Sequence, residues 1–371
     1  MTEVSEVKKN MKTLTVTFHH TCNYGATLQA YALHSVIKSL GHENLVLEYP
    51  ERGKKKTSFF KSPYKYIRGY YQRLNYLYRK DKIEARKKMF KDFHSTNIMK
   101  TRVYKDMEEL RNNPPDVNCM ITGSDQVWNM KSLPKFKPAH FLDFGPKNII
   151  RFSYAASIEK LNYTDQQKKY VASAIASYKG VSLRETSARD YINSFTNTNA
   201  IQVVDPVFLL NKDEWGSVAT EGRIKEPYIL CYQVSSNPLM QKMVDYLKKE
   251  TGCKIVSVCH GTIKWIKSDY SLFDVSPEEF LGLYRNASYV VTTSFHGTAL
   301  ALVHERPFIS LVRPDSRNRI VDLLQLLGLE KSCVSSTEEF HVPNIDFSCV
   351  RAKIEEERSR SLDFLKAMLS E

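Results

Sequence analysis

At 371 residues the chain is too long for one ordinary hydrophobic core, so two domains are expected. Hydrophobic residues at 42% and aromatic residues at 11% describe a folded protein, and no apolar run approaches the roughly 20 residues that span a bilayer. The net charge of +13 is concentrated: residues 51–100 hold 16 Lys+Arg against 4 Asp+Glu, which leaves the rest of the chain almost neutral.

The segment from Met1 to Lys12 is polar and of mixed charge, without the apolar centre of a secretory signal. Thr13 to His19 is an apolar, β-branched run and predicts a first strand. Asn23-Tyr24-Gly25 makes a turn. Ala26 to Leu40 carries Leu28, Tyr31, Ala32, Val36 and Leu40 at helical spacing, Gly41 stops that helix, and Asn44 to Tyr49 predicts a second strand. A β-loop-α-β opening argues for a parallel sheet.

The basic insertion, about 51–105, has Tyr66, Tyr70, Leu74, Leu77 and Tyr78 at helical spacing, with Ile67 and Tyr71 beside them. Arg68, Arg73, Arg79 and Lys80 fall between or beyond them, so an amphipathic helix with a snorkelling basic face is expected. Nucleic acid, an anionic membrane surface and a polyanionic substrate all fit such a helix. So does a solvated insertion that packs its tyrosines on the domain.

Further strands are expected at Val117 to Thr122, Arg151 to Ser157 and Gly180 to Leu183, with a helix from about Asp165 to Tyr178. Val203-Val204 leads into Asp205-Pro206, where the pattern breaks. A new unit begins near Pro227: strand Tyr228 to Gln233, helix Pro238 to Thr251, strand Lys254 to Cys259. Ser276-Pro277-Glu278-Glu279 reads as a helix start, with Ser276 capping and Glu279 reaching back in a capping box. A strand from Ser288, another at Pro307 to Val312, a helix at Arg319 to Leu327 and a charged helix at Arg351 to Leu369 complete the chain. The expected fold is α/β, two doubly wound Rossmann-like domains facing across a cleft. Their expected limits are 1–210, carrying the insertion, and 211–350, with 351–371 a helix crossing back.

Seven scattered cysteines (Cys22, Cys119, Cys231, Cys253, Cys259, Cys333 and Cys349) match no CxxC pattern, which points to reduced thiols in a cytosol. Cys253, Cys259 and His260 lie close together without the spacing of a metal motif. No metal ligand set and no tightly bound cofactor are expected.

The strongest local signal is Val290 to Leu302, where a β-branched run breaks at Thr293-Ser294-Phe295-His296-Gly297-Thr298 into a small-residue helix. A strand feeding directly into a helix N-terminus presents free N–H groups at a positive dipole end, the usual seat of a phosphate or carboxylate. A histidine there can also move a proton. A buried turn with His296 bonded to backbone is the alternative.

Three blocks carry a resemblance: Cys22-Asn23-Tyr24-Gly25-Ala26, Ile121-Thr122-Gly123-Ser124-Asp125-Gln126-Val127-Trp128-Asn129, and Thr293 to Thr298. With Ser182-Leu183-Arg184-Glu185, Asp205 to Leu210, Ser276 to Leu281 and Arg306-Pro307-Phe308 between or around them, the sequence from about 13 to 330 resembles the polysaccharide pyruvyl transferase family. The resemblance implies a GT-B-like two-domain enzyme that uses phosphoenolpyruvate as co-substrate and places a pyruvate ketal on two sugar hydroxyls. The implied acceptor is a bacterial surface glycan or its lipid-linked precursor. His296 is the expected general acid/base. Arg184 is the expected donor clamp, with a salt bridge to Glu185 as the competing account. Ser294, Gly297 and Thr298 complete the donor side. The family often carries an arginine where this chain has Ser294, so another cation serves or the donor sits differently; Arg313, Arg317 and Arg319 are the candidates to replace it, and Arg319 fits best. Asn23, Tyr24, Gly25 and Gln126 are expected on the acceptor side, with helix capping the alternative for Asn23. Asp125 is expected as acceptor-side base or as a helix cap, and Trp128 as a sugar platform or plain core.

Two other functions fit part of this pattern. A GT-B glycosyltransferase could seat a nucleotide-sugar diphosphate on the same loop and helix. A non-enzymatic polyanion-binding module would leave the ordered cleft motifs unexplained, so nucleic acid is not the expected partner. The basic helix is expected to dock the enzyme on the inner face of the cell membrane or on an acidic lipid-linked glycan.

Overall fold

The computed structural model describes residues 10–49, 74–130, 138–259, 266–312 and 318–370. In the first half β1 (Lys12–Val16) runs through a short loop into α1 (Tyr24–Ser39), which is followed by β2 (Glu43–Val46). Gly41 takes a left-handed φ of +91°, the conformation that ends a helix and that glycine adopts without strain. Then come α2 (Lys80–Asn97), α3 (Met107–Asn112), β3 (Cys119–Thr122) and β4 (Ile150–Ser153). After these lie α4 (Asp165–Ile175), β5 (Ser182–Leu183), α5 (Thr186–Asn193) and β6 (Ile201–Gln202). The main sheet has order β2-β1-β3-β4, with every pairing parallel. The parallel pair β5-β6 extends it through bridges Phe152–Gly180 and Ala156–Leu183. The strand expected to reach Ser157 stops at Ser153, because Ala155 turns to a φ of +52°.

The second half contains α6 (Lys212–Val218), β7 (Tyr228–Tyr232), α7 (Leu239–Thr251), β8 (Lys254–Val258) and β9 (Tyr270–Leu272). It continues with α8 (Pro277–Asn286), β10 (Tyr289–Thr292), α9 (Phe295–Val303), β11 (Phe308–Leu311), α10 (Asn318–Leu327) and β12 (Cys333–Val334). Its sheet has order β12-β11-β10-β7-β8-β9 and is again parallel throughout. Helices cover both sheets, which is why strands such as β3 and β11 are buried along their whole length. The architecture is thus α/β, two Rossmann-like units. Ser276 caps α8 through the amide of Glu279 at 3.1 Å, but the Glu279 carboxylate pairs with Arg223 at 2.6 Å instead of closing a capping box.

One apolar core joins the two halves. The Tyr24 ring stacks on Phe280 with centroids 3.9 Å apart, and its hydroxyl donates to the Val275 carbonyl at 2.8 Å. The last helix, α11 (Phe347–Leu369), lies against the first half. There Ser361 Oγ accepts from the Val204 amide at 3.0 Å, and Arg358 Nε donates to the Phe208 carbonyl at 2.6 Å.

Of the aromatic and leucine stripe read in the basic insertion, Tyr66, Ile67, Tyr70 and Tyr71 lie outside the described residues, as do Arg68 and Arg73. Leu74, Leu77 and Tyr78 are exposed. The packed part of the insertion comes later, where α2 buries Ile83, Arg86, Phe90, Phe93 and His94. Among the described residues no helix is long and apolar enough to cross a membrane.

Candidate active site

The motif strand β10 delivers the chain to α9 through Thr293 and Ser294. Ser294 is the N-cap: its Oγ accepts from the Gly297 amide at 3.3 Å, while its own amide donates to Thr292 Oγ1 at 3.1 Å. A Cβ on Gly297 would stand 2.2 Å from Thr292 Oγ1, so this glycine lets the helix close on the strand. Thr298 Oγ1 donates to the Ser294 carbonyl at 3.1 Å and lies 2.7 Å from Ser310 Oγ, fully buried. The expectation that Ser294, Gly297 and Thr298 hold the donor is therefore corrected. Their polar groups are spent on building the turn.

The turn holds up His296, whose ring lies against α1. A Cβ on Gly25 would stand 2.3 Å from His296 Nδ1 and 2.5 Å from Cγ. Gly25 thus makes room for the imidazole, and its expected role in approaching an acceptor is replaced by that contact. Tyr24 is corrected as well, being 1% exposed with its hydroxyl used on Val275. Asn23 is half-buried and caps α1, accepting from the Ala26 amide at 3.3 Å.

His296 Nε2 is buried without a hydrogen-bond partner, 3.5 Å from Asp205 Oδ2. Asp205 begins the short turn after β6, where its Oδ1 accepts from the Val207 amide at 3.0 Å. Its Oδ2 accepts from Ser124 Oγ at 2.9 Å and from Arg184 Nη1 at 2.8 Å. Burial pushes the Asp205 carboxyl up, but the His296 imidazole and the Arg184 guanidinium outweigh it and hold the group well below the usual carboxylate range.

Arg184 is more deeply committed than its sequence position suggests. Nε donates to Glu185 at 3.0 Å, Nη1 to Asp205, and Nη2 to Ser157 Oγ at 2.9 Å, with the guanidinium carbon 4.1 Å from the Phe295 ring centre. Its side chain is 2% exposed. These contacts match the salt-bridge account of Arg184 given as the alternative to a donor clamp: the cation organises Asp205 and Glu185.

Arg319 differs. Its side chain is 23% exposed, with Nη2 3.8 Å from Glu159 Oε1. With the Gln126 amide turned to place its oxygen toward Arg319, Nη1 and Nη2 donate to it at 2.8 and 2.7 Å. Burial and the neighbouring Arg184 cation push the Arg319 guanidinium down, with Glu185, Glu159 and Asp125 acting the other way. Arg184 and Arg319 thus lie near each other among the carboxylates Asp205, Glu185 and Glu159. Both line a crevice with Gln202, Asp205, Phe295 and Asp322. Gln126, expected on the acceptor side, is Arg319's neighbour. Arg313 and Arg317 lie outside the described residues.

Asp125 follows β3 and is half-buried at a φ of +75°, with Oδ1 accepting from the Gln126 amide at 2.8 Å. No helix starts within 126–130, so the helix-cap account of Asp125 falls, and a strained backbone at a sheet's carboxyl edge remains. Trp128 is fully buried and stacked on Phe141 at 5.4 Å, which makes it core and removes it as a sugar platform. Sequence reading gave no role to Ser157 or Asp205, and it named Glu185 only as the partner of Arg184 in the competing account. The Asp-Pro step marked only a turn, and nothing local reports that its carboxylate meets an arginine and an imidazole.

Two parallel α/β units thus meet at a seam that holds a histidine, its carboxylate partner and two arginines. The chain belongs to the polysaccharide pyruvyl transferase family, whose sequence model matches residues 23–316. No curated protein matches it. Among solved structures it is similar to UDP-GlcNAc 2-epimerase from Methanocaldococcus jannaschii, with a TM-score of 0.49 and 10% identity over 93% of this chain and 91% of that one. It is also similar to the glycosyltransferase SsfS6 of Streptomyces sp. SF2575, with a TM-score of 0.43 and 12% identity over 96% of this chain and 99% of that one.

Proposed function

We propose that the protein transfers pyruvate from phosphoenolpyruvate to two hydroxyls of a sugar, forming a ketal on a bacterial surface glycan or its lipid-linked precursor. The observation that carries this reading is the His296–Asp205–Arg184 chain beside Arg319. Ketal formation needs a proton for the methylene carbon of the donor, cations for its carboxylate and phosphate, and a base for the acceptor hydroxyls. His296 moves the proton, oriented by Asp205. Arg319 takes the donor's anionic end through its guanidinium fork, filling the place of the arginine that Ser294 replaces. Asp125 is the acceptor-side base. As the methylene carbon takes a proton the first sugar oxygen bonds the central carbon, phosphate then leaves and the second hydroxyl closes the ketal; one hydroxyl proton replaces the one given to the methylene carbon and the other departs with phosphate. The chemistry calls for no tightly bound cofactor.

Calorimetric titration with phosphoenolpyruvate tests the reading. Arg319→Ala is expected to weaken binding about ten- to a hundredfold, the loss of about 1.5–3 kcal/mol in charge-assisted hydrogen bonds. His296→Ala is expected to bind the donor and make no ketal. Wild type that ignores phosphoenolpyruvate both alone and with acceptor present overturns the proposal and makes nucleotide-sugars the next ligands to screen.

The charge of residues 51–100 supports peripheral attachment at the inner face of the cell membrane. Sedimentation with anionic vesicles at low salt is expected to carry the protein down, and salt to release it. Protein left in the supernatant at low salt rejects the attachment.

A further inference from the structure

The carboxyl edge of the first sheet carries a second cluster that the transfer chemistry does not use. His19 and His20 follow β1, and Glu48 follows β2. One ligand atom from each lies within 4.8 Å of the others. His20 Nδ1 is 2.9 Å from Glu48 Oε1, and His19 Nε2 is 3.6 Å from Glu48 Oε2.

The His19 contact is an unusual one. Its Nδ1 lies 3.2 Å from the Thr17 carbonyl oxygen, which can only accept, so Nδ1 carries the hydrogen and Nε2 of the neutral ring presents a lone pair. That nitrogen is buried, lacks a hydrogen-bond partner and points at a carboxylate oxygen. Two acceptors facing each other in a buried place are reconciled by a cation between them. A backbone carbonyl on the remote nitrogen is also how metal-ligating histidines are oriented. Glu48 is equally well placed, its amide donating to Thr101 Oγ1 at 3.0 Å and its carbonyl accepting from the Tyr104 amide at 2.9 Å.

We propose that His19, His20 and Glu48 bind a divalent transition-metal ion, with zinc the best fit. Donor atoms around a tetrahedral zinc stand roughly 3.3–3.6 Å apart for bonds near 2.0–2.2 Å; His19 Nε2 is at 3.6 Å from one Glu48 oxygen, and His20 Nδ1 is closer, at 2.9 Å, to the other. Two imidazoles and one carboxylate select zinc or a first-row neighbour over magnesium or calcium. The side chains of His20 and Glu48 are 22% and 20% exposed, which leaves an entry path and an open fourth position. The ion would pin the loop from β1 to α1, the loop that sets Asn23 to Gly25 beneath His296. Lys100 is the competing cation, its Nζ 2.9 Å from Glu48 Oε2 with a side chain 28% exposed. It holds the metal-free carboxylate and has room to swing away.

The test uses the full chain without a histidine tag, stripped with chelator and titrated with cobalt as a coloured substitute for zinc. Wild type is expected to take up one equivalent, to show the visible bands of low-coordinate cobalt, and to lose them to added zinc. His20→Ala and Glu48→Gln, both at partly exposed positions, are expected to weaken binding more than about tenfold. Lys100→Ala is expected to tighten it. Wild type without stoichiometric uptake overturns the proposal, as does unchanged binding in both ligand variants or a thiolate-to-cobalt charge-transfer band that assigns the ion to a cysteine.

Discussion

Gly25 and His296 meet only because two helix starts from distant parts of the chain are packed end against side. The ring atoms that an added Cβ would strike, Nδ1 at 2.3 Å and Cγ at 2.5 Å, belong to the imidazole body and have no slack to give. Gly25→Ala is therefore expected to cost about 1–3 kcal/mol through overpacking and to displace the ring from Asp205. Urea melts measure the first effect and a ketal-forming assay the second. A variant as stable and active as wild type would show that the seam is looser than this geometry. Asp205 is the other pivotal residue. Ser124, Arg184 and His296 reach it from three separate stretches, so its charge is held in place by neighbours that no local pattern connects to it.

At the scale of elements, the C-terminal helix α11 does more than cover apolar surface. It buries Val350, Ile354, Leu365 and Leu369, and it also satisfies backbone of the first half through Ser361. Ser361 Oγ accepts from the Val204 amide while donating to the Glu357 carbonyl at 2.7 Å. Ser361→Ala leaves the Val204 N–H without its partner in a buried place, at an expected cost of about 1–3 kcal/mol. Denaturant midpoints should fall with an unchanged slope; an unaltered midpoint would mean that the amide finds another acceptor. Much of the element level was legible in the sequence. Strands and helices could be placed to within a few residues because apolar periodicity, Gly41 and the caps at Asn23 and Ser276 act over one or two turns. The departures have tertiary causes: Ala155 turns a strand aside, and Arg223 draws Glu279 out of its capping box.

Across the whole molecule, buried histidines give stability a pH dependence. Burial pushes His34 down to about 4, and His94 and His304 down to about 3. The unfolded chain takes up these protons near the ordinary value of 6.5, before the folded chain does. Their contribution is therefore complete above that value and is lost as pH falls from about 6.5 toward about 3. Melting temperature should drop progressively through this window. His304 has no hydrogen-bond partner on either ring nitrogen. His304→Leu should flatten the profile at little or no cost near neutral pH, since it removes a buried polar group left unpaired. A variant profile parallel to wild type would remove His304 from this account.

The sequence alone determined the alternation of strands and helices, the parallel α/β class, and the candidate loops at strand ends. It also carried the family, through ordered blocks from Asn23 onward. Those features are written in local periodicity and in residues adjacent along the chain. Tertiary structure alone decided that Arg184 is spent on Asp205 and Glu185 while Arg319 keeps an exposed face, that Gly25 serves an imidazole, and that Tyr24 is core. It also brought Glu48 to the two histidines after β1. Each of these depends on which partners consume a side chain's few hydrogen bonds. That is settled by how distant elements pack, and local sequence carries no record of it.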